Sequence, residues 1–172
     1  MVSAVSAVSA SATSLVPSAA PVRTLDEAAV RDLLRSVRDP EIPTISIVDL
    51  GMVERVAVSG VGIEVELLPT FVGCPAQQII RDAVIGALGP LGRPVTVEFT
   101  WRVPWTSDRI SPVGRERLAA SGFAPPAEPD DIRCPYCASA DVTMDSAFGP
   151  TQCRSLFYCR DCRQPFEAFK PV

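Results

Sequence analysis

Two cysteine pairs near the C-terminus limit how the last part of this chain can fold. Both have the spacing C-x-x-C, and 21 residues separate them, at Cys134, Cys137, Cys159 and Cys162. Each pair makes a tight turn that can place two sulfurs about 2.3 Å from one ion, so the four thiolates predict a closed tetrahedral zinc site. An iron centre held by the same four cysteines and a pair of disulfides are the alternatives left open. Because a closed site has no free position, its predicted role is structural.

The C-terminal segment needs such a cross-link because it is short. It follows a Pro-rich, acidic stretch at 124–131, which has no apolar periodicity and predicts an interdomain linker. A segment of this length buries too little apolar surface to offset the conformational entropy of its chain. Metal binding, at about 10 kcal/mol, would supply the missing free energy. We therefore predict a zinc-ribbon domain over residues 132–172.

The residues before the linker have the mixed helix and strand patterns of an α+β domain. The predicted elements are, in order, a helix at 24–38, a β-hairpin at 53–69, a helix at 75–88, a strand at 94–101 and a helix at 111–121. Thr24 and Glu27 have the spacing of a capping box at the start of the first helix, and Ser111 is the predicted cap of the last. The pattern predicts a small mixed α/β sandwich over residues 24–123.

Composition and charge argue against several classes of function. The formal net charge is −4 and there is no histidine, so the chain lacks a positive field for nucleic acid and the usual general base. The sequence contains no run of 18 apolar residues, so it predicts no membrane-spanning helix. The first 23 residues are rich in Ser and Ala, which predicts a disordered tail rather than a secretory signal. The C-x-x-C spacing favours a reducing compartment, and we expect a cytoplasmic protein.

Two further cysteines are candidate functional thiols. Cys74 directly precedes the second predicted helix, where the helix dipole and free N–H groups predict a lowered thiol pKa. Gly73 permits a tight turn there, although a packing role for Cys74 is also compatible with the residues. Cys153 precedes the second C-x-x-C pair. It is either a small buried side chain or an additional thiol for iron–sulfur transfer.

An acidic loop follows the first predicted helix. It contains Asp39, Glu41 and Asp49. Short acidic side chains in such a loop commonly form turns and helix caps. Contact with a metal or a partner protein is the functional alternative.

Two runs of sequence resemble a known family. DPEIPTISIVDLGM (39–52) and TFVGCPA (70–76) are similar to the two signature loops of the SufT/PaaD-type iron–sulfur assembly domain. The C-terminal four-cysteine knuckle, ending in CRDCRQPF, narrows the resemblance to the PaaD (PaaJ) family of the phenylacetyl-CoA ring-epoxidase system. The resemblance covers about residues 24–170.

That resemblance implies a non-catalytic accessory or maturation role in phenylacetate degradation. It makes Cys74 the reactive thiol and places Asp49 at the acidic position of the first loop. The implied cargo is iron or a transient iron–sulfur cluster, and the implied partners are the epoxidase components, above all the iron–sulfur reductase subunit. Since clusters ordinarily take four protein ligands, a homodimer, a partner cysteine or Cys153 must contribute.

Two other functions are compatible with the sequence. The chain could be a structural subunit of the oxygenase, or a zinc-ribbon nucleic-acid-binding protein. Against the latter, residues 133–172 contain five cations and four acids, which is close to neutral. In an accessory protein, we expect the ribbon to dock on its partner through exposed Phe166 and Phe169.

Overall fold

The first helix, α1 (Glu27–Leu34), begins close to the start of the chain described by this computed structural model, residues 25–172. Its N-cap is Asp26, whose carboxylate accepts a hydrogen bond from the backbone N–H three residues later, at 2.8 Å. The predicted capping residue Thr24 lies outside the described residues, as does the predicted tail at 1–23. Within the described part of the chain, Asp26 therefore provides the side-chain cap of α1.

The chain leaves the helical conformation earlier than predicted. α1 ends at Leu34, whereas the expected end was near Arg38. Arg38 instead pairs with Ser46 in an isolated antiparallel β-bridge, which requires extended backbone. The loop between these two residues buries Ile42 and Ile45 in the core, so it is anchored by apolar packing as well as by hydrogen bonds.

Three strands form the sheet of the first module, which we define as residues 25–122. They are β1 (Val53–Val58), β2 (Ile63–Leu67) and β3 (Val95–Phe99), in the spatial order β1-β2-β3. β1 and β2 form the predicted antiparallel hairpin, closed by a hydrogen bond from Ser59 N to Gly62 O at 2.9 Å. β3 runs parallel to β2, and a parallel neighbour requires a long crossover connection.

Helix α2 (Gln77–Leu88) supplies that crossover connection. Its buried residues recur every four positions, at Ile80, Val84 and Leu88, and they pack against the sheet. α2 begins two residues after the predicted start at Pro75. The last helix, α3 (Pro112–Ala120), is capped as predicted by Ser111, whose Oγ accepts from the Gly114 N–H at 3.0 Å.

A second sheet contains four strands and lies in the second module, which we define as residues 123–172. They are β4 (Phe123–Ala124), β5 (Val142–Ser146), β6 (Arg154–Cys159) and β7 (Pro165–Phe169), in the spatial order β4-β7-β6-β5. β4 is parallel to β7, and the other pairs are antiparallel. Within the predicted linker at 124–131, Ala124 is buried in the apolar cluster of this sheet and Ala127 packs against it. The division into two domains and its boundaries stay a prediction.

The two modules contact each other through side chains and through the backbone. Phe169 packs with the apolar core of the first module, and its ring centroid lies 5.7 Å from that of Trp105. Ser107 N also donates to Val172 O at 3.2 Å. The expectation that Phe166 and Phe169 are exposed for docking is wrong, because they are only 4% and 1% exposed and fill the two cores.

The predicted fold class is confirmed. A small mixed sheet covered by helices is followed by a four-stranded sheet with the four-cysteine cluster of a zinc ribbon. Within residues 25–172, no helix combines the length and apolar character needed to cross a membrane.

Candidate metal and thiol sites

The four paired cysteines come together in the second module. Their Sγ atoms all lie within 4.8 Å of one another, and the Sγ–Sγ distances are 3.6 Å for Cys134 with Cys162 and for Cys137 with Cys159. Four sulfurs held about 2.3 Å from one central ion would be about 3.8 Å apart in a tetrahedron. The observed spacing therefore fits a closed thiolate site for an ion of that size.

Two similar turns position these sulfurs. In the first turn Cys134 N donates to Ser139 O, and in the second Cys159 N donates to Gln164 O, both at 3.0 Å. A non-glycine residue with left-handed backbone follows each pair, Ala138 with φ 61° and Arg163 with φ 59°. Such backbone costs of the order of 1 kcal/mol per residue and persists where other interactions, such as ligation of an ion, hold it.

Hydrogen bonds within the cluster make its sulfurs unequal. The backbone N–H of Cys162 donates to Cys159 and is the main reason that the pKa of the Cys159 thiol falls to about 7. Burial, with the neighbouring Cys159 sulfur, raises the pKa of Cys162 to about 12. A cation that binds all four sulfurs must displace the remaining protons, so metal binding at this cluster releases protons.

Cys74 lies in the turn before α2. Gly73 has a φ of +78°, a conformation that favours glycine, and Cys74 N donates to Phe71 O at 3.3 Å. The Ala76 N–H donates to the Cys74 sulfur. The turn therefore holds a half-buried thiol at the N-terminal end of the helix.

The electrostatic surroundings of Cys74 differ from the prediction. Burial raises the pKa of this thiol, and the hydrogen bond from Ala76 lowers it by a smaller amount. The negative charges of Glu41, Asp39 and Cys153 raise the pKa further. The expectation of a lowered pKa is wrong, because burial and acidic neighbours outweigh the end of the helix.

A cavity of about 250 Å³ adjoins Cys74. Its wall combines Glu41 of the first loop, the turn at 70–75, and the turn at 148–153 that leads into β6. Cys153 also lines this cavity, and its sulfur lies 3.2 Å from Thr151 Oγ1. The structure thus brings Cys74 and Cys153, which are 79 positions apart in the chain, to the wall of one cavity.

Arg154 is a buried cation beside this cavity that sequence reasoning missed. Its Nη1 lies 2.8 Å from Glu167 Oε2, and its Nε donates to Thr151 Oγ1 at 2.7 Å. Its guanidinium also lies over the Phe123 ring, 5.2 Å from the centroid. Burial raises the pKa of Cys153, whereas the Arg154 charge lowers it. These contacts join β4, β6 and β7, and the isolated arginine in the sequence gives no signal of them.

Asp49 lies apart from the cavity wall. Its carboxylate accepts from Arg35 Nη1 and Arg117 Nη1, each at 2.8 Å, and from Ser46 Oγ at 2.7 Å. Burial alone would raise the pKa of Asp49, but these bonds and charges, with Ser111, hold it below its ordinary value. The arrangement ties the first loop to Arg35, at the C-terminal end of α1, and to α3. Both carboxylate oxygens therefore accept hydrogen bonds from donors within this chain.

Two family models match the chain. "Iron-sulfur cluster assembly protein" matches residues 27–99, and "PaaD zinc beta ribbon domain" matches residues 120–170. The first match spans the three-stranded sheet with α1 and α2, and the second spans the four-stranded sheet with its cysteine cluster.

Three similar proteins extend these matches. A protein of Escherichia coli (strain K12), named as one of the subunits of a "Putative 1,2-phenylacetyl-CoA epoxidase", is 42% identical over 148 residues, covering 81% of this chain and 90% of that protein. The "Fe-S protein maturation auxiliary factor YitW" of Bacillus subtilis (strain 168) is 37% identical over 81 residues, covering 45% and 78%. The crystal structure of a domain of unknown function, DUF59, from Bacillus anthracis has a TM-score of 0.50 and 27% identity, covering 54% and 90%.

Proposed function

The chain belongs to the PaaD family, and from this premise we propose that it is an accessory protein that matures a metal centre of a phenylacetyl-CoA epoxidase. Its task is to deliver iron or an iron–sulfur cluster to the iron–sulfur reductase component, and it catalyses no turnover of its own. Two relatives support this assignment by their names, one as an epoxidase subunit and the other as an Fe–S maturation factor.

The cavity beside Cys74 is the observation that carries this proposal. A thiol held between a helix end and an open cavity can bind a thiophilic metal and still be reached by a client protein. Glu41 adds a carboxylate to the same wall. Cys74 receives the cargo, and the Gly73 turn fixes the direction in which its sulfur is presented.

Asp49 acts on this site indirectly. Its bonds to Arg35, Arg117 and Ser46 fix the loop that begins at Asp39 and carries Glu41. We assign Asp49 to positioning, because its oxygens are occupied by protein donors. A carboxylate with a lowered pKa and several donors is a stable anchor for a loop.

The second module holds Zn²⁺ through the four paired cysteines. The 3.6 Å Sγ–Sγ distances and the all-sulfur donor set support zinc at a closed tetrahedral site. When bound, the ion supplies cross-linking and no catalysis. The protein's own contribution is to orient the four sulfurs by the two turns described above.

The proposal is tested by producing the epoxidase reductase together with this chain or its Cys74→Ala variant. We expect the reductase made with the variant to lose most of its iron–sulfur absorption, while the variant keeps its fold and zinc content. Gln78→Ala, on an exposed position of the first turn of α2, is the control and should support full cluster content. Full cluster content with Cys74→Ala would reject the maturation role of this thiol.

A second measurement separates a maturation protein from a structural subunit of the oxygenase. The epoxidase is first assembled in the presence of this chain. The chain is then removed, and the remaining complex is purified and assayed. Retained activity and a complete complex are expected for a maturation protein. Collapse of the assembled complex on removal of the chain would favour the structural role.

A further inference from the structure

We propose that Cys153 of the second module is a second thiol ligand for the metal cargo, so that the cavity between the modules binds a thiophilic metal through Cys74, Cys153 and Glu41. This inference rests on the proposed function and adds a residue and a ligand set to it. It also assigns the second module a direct part in cargo binding, beyond its own zinc.

The geometry of the cavity supports this ligand set. Cys74, Cys153 and Glu41 all line one space of about 250 Å³, which is open to solvent and has room for more than a single ion. Thr151 Oγ1 lies 3.2 Å from the Cys153 sulfur, and the Thr151 hydroxyl also lowers the pKa of Glu41, so the two modules meet at the cavity. Among the described residues, only the ribbon sulfurs already converge at ligand spacing. Cargo binding must therefore draw the cavity donors inward.

The charge distribution favours a cation in this space. Three acidic groups line the cavity, Glu41, Cys74 and Cys153, and the charge of the buried Asp39 acts on each of them. Burial is the largest cause that raises the pKa of each of these four groups. Acidic neighbours raise the pKa further for Glu41 and the two thiols. The nearby cation, Arg154, is already paired with Glu167 and stacked on Phe123. The Arg154 charge lowers the pKa of Asp39, Glu41 and Cys153 only in part, and a divalent cation would add positive charge beside these groups.

The donor set selects the class of metal and suits its transfer. Two thiols with one carboxylate favour Fe²⁺, Co²⁺ or Zn²⁺ over Mg²⁺ or Ca²⁺, which prefer oxygen ligands. Binding of M²⁺ displaces one proton from each thiol into solvent and leaves the carboxylate ionised. Three protein donors leave positions for water, sulfide or a ligand from the client, in contrast to the closed ribbon site.

Cobalt binding to the zinc-loaded chain tests the ligand set. Under anaerobic, reducing conditions, we expect Co²⁺ to add thiolate-to-cobalt charge-transfer absorption at one equivalent, with zinc retained by elemental analysis. Cys74→Ser and Cys153→Ser should each weaken cobalt binding at least tenfold, and Glu41→Gln should weaken it less. Gln152→Ala, an exposed neighbour on the same wall, is the control and should bind as the wild type does. A parallel experiment with Fe²⁺ and sulfide in place of Co²⁺ distinguishes binding of a single ion from assembly of a cluster.

Thiol protection provides a second readout. Bound cobalt should protect Cys74 and Cys153 together from iodoacetamide, as measured by peptide mass spectrometry. If Cys74→Ser abolishes cobalt binding while Cys153→Ser leaves it unchanged, Cys153 is not a ligand and the maturation role of Cys74 stands. If the wild-type chain binds no second metal, the ligand set is wrong. If both serine variants lose cobalt but still support full reductase clusters, the site exists and the proposed function is wrong.

Discussion

Two aspartates of the first loop show how burial and hydrogen bonding give similar residues different properties. Burial raises the pKa of Asp39, although the N–H groups of Glu41 and Ile42 donate to it and lower the pKa in part. Asp49 is also buried, but two arginines and two serines hold its pKa below the ordinary value. Asp39 therefore shapes the turn that presents Glu41, whereas Asp49 anchors the loop as an ionised carboxylate.

Asp49→Asn should destabilise the chain by about 2–3 kcal/mol at neutral pH, because it removes charge-assisted hydrogen bonds from a buried position. The folded-state pKa of Asp49 is lowered, so its contribution is present above the unfolded pKa of about 3.9 and lost as pH falls through the folded value. Urea unfolding of wild type and variant at several pH values measures this. The difference should shrink below about pH 4.

The control for that experiment is Asp145→Asn, which changes an exposed carboxylate. It should alter stability by less than about 0.5 kcal/mol. An Asp49→Asn variant as stable as the wild type at neutral pH would show that the two arginines do not depend on this carboxylate for the loop to stay folded.

Arg154→Met should destabilise the chain by about 2–3 kcal/mol, since it leaves Glu167 without its partner and removes the cation over Phe123. Arg160→Met is a matched control, because its ion pair with Asp141 is exposed and should contribute less than about 1 kcal/mol. Denaturant unfolding of both variants measures the difference. Equal effects would mean that the burial of the Arg154 pair has no energetic consequence.

At the scale of elements, the four-strand sheet depends on its cysteine cluster. Cys134→Ser should lower zinc from about one equivalent per chain and remove amide exchange protection in β5, β6 and β7, because this sheet has a small apolar core. Elemental analysis and hydrogen exchange measure the two effects. Cys153→Ser is the control, since this cysteine lies outside the four-sulfur cluster and should leave the ribbon zinc in place. Unchanged zinc in Cys134→Ser would exclude the tetrathiolate site.

Local patterns in the sequence predict most of these elements. The hairpin of β1 and β2 follows from alternating apolar residues around Ser59–Gly62, and α3 follows from its Ser111 cap. Helix ends were predicted less well. α1 stops at Leu34 because Arg38 pairs with Ser46, and a pairing across a loop has no local signature.

The candidate sites divide in the same way. The ribbon cysteines could be recognised from spacing alone, because two C-x-x-C turns need only local geometry. The shared cavity of Cys74 and Cys153 could not, because it depends on how the modules pack. The pKa of Cys74 was also mispredicted for this reason, since the charges of Glu41 and Asp39 reach it through the tertiary fold.

At the scale of the whole molecule, side chains of the second module pack into the core of the first along one contact. Phe169 of β7 and Cys153 pack with the apolar core of the first module, and Arg115 Nη1 donates to Pro126 O at 3.2 Å. The Cys74 cavity is built at this contact. Loss of the ribbon should therefore disturb the cavity even if the first sheet remains folded.

Zinc removal should expose the side chain of Trp105 while the first sheet keeps its hydrogen bonds. Trp105 is 5% exposed and packs on Phe169, whereas Trp101 is 57% exposed, so a Trp101→Phe chain has Trp105 as its one tryptophan. Chelation should shift the fluorescence emission of this chain to longer wavelength, because β7 and Phe169 lose their support. Amides of β1, β2 and β3 should stay protected from exchange, because every buried residue of their core except Cys153 and Phe169 belongs to the first module. Unchanged emission after verified zinc loss would show that the Trp105–Phe169 contact is independent of the metal. Uniform loss of protection in both sheets would instead mean that the modules unfold as one unit.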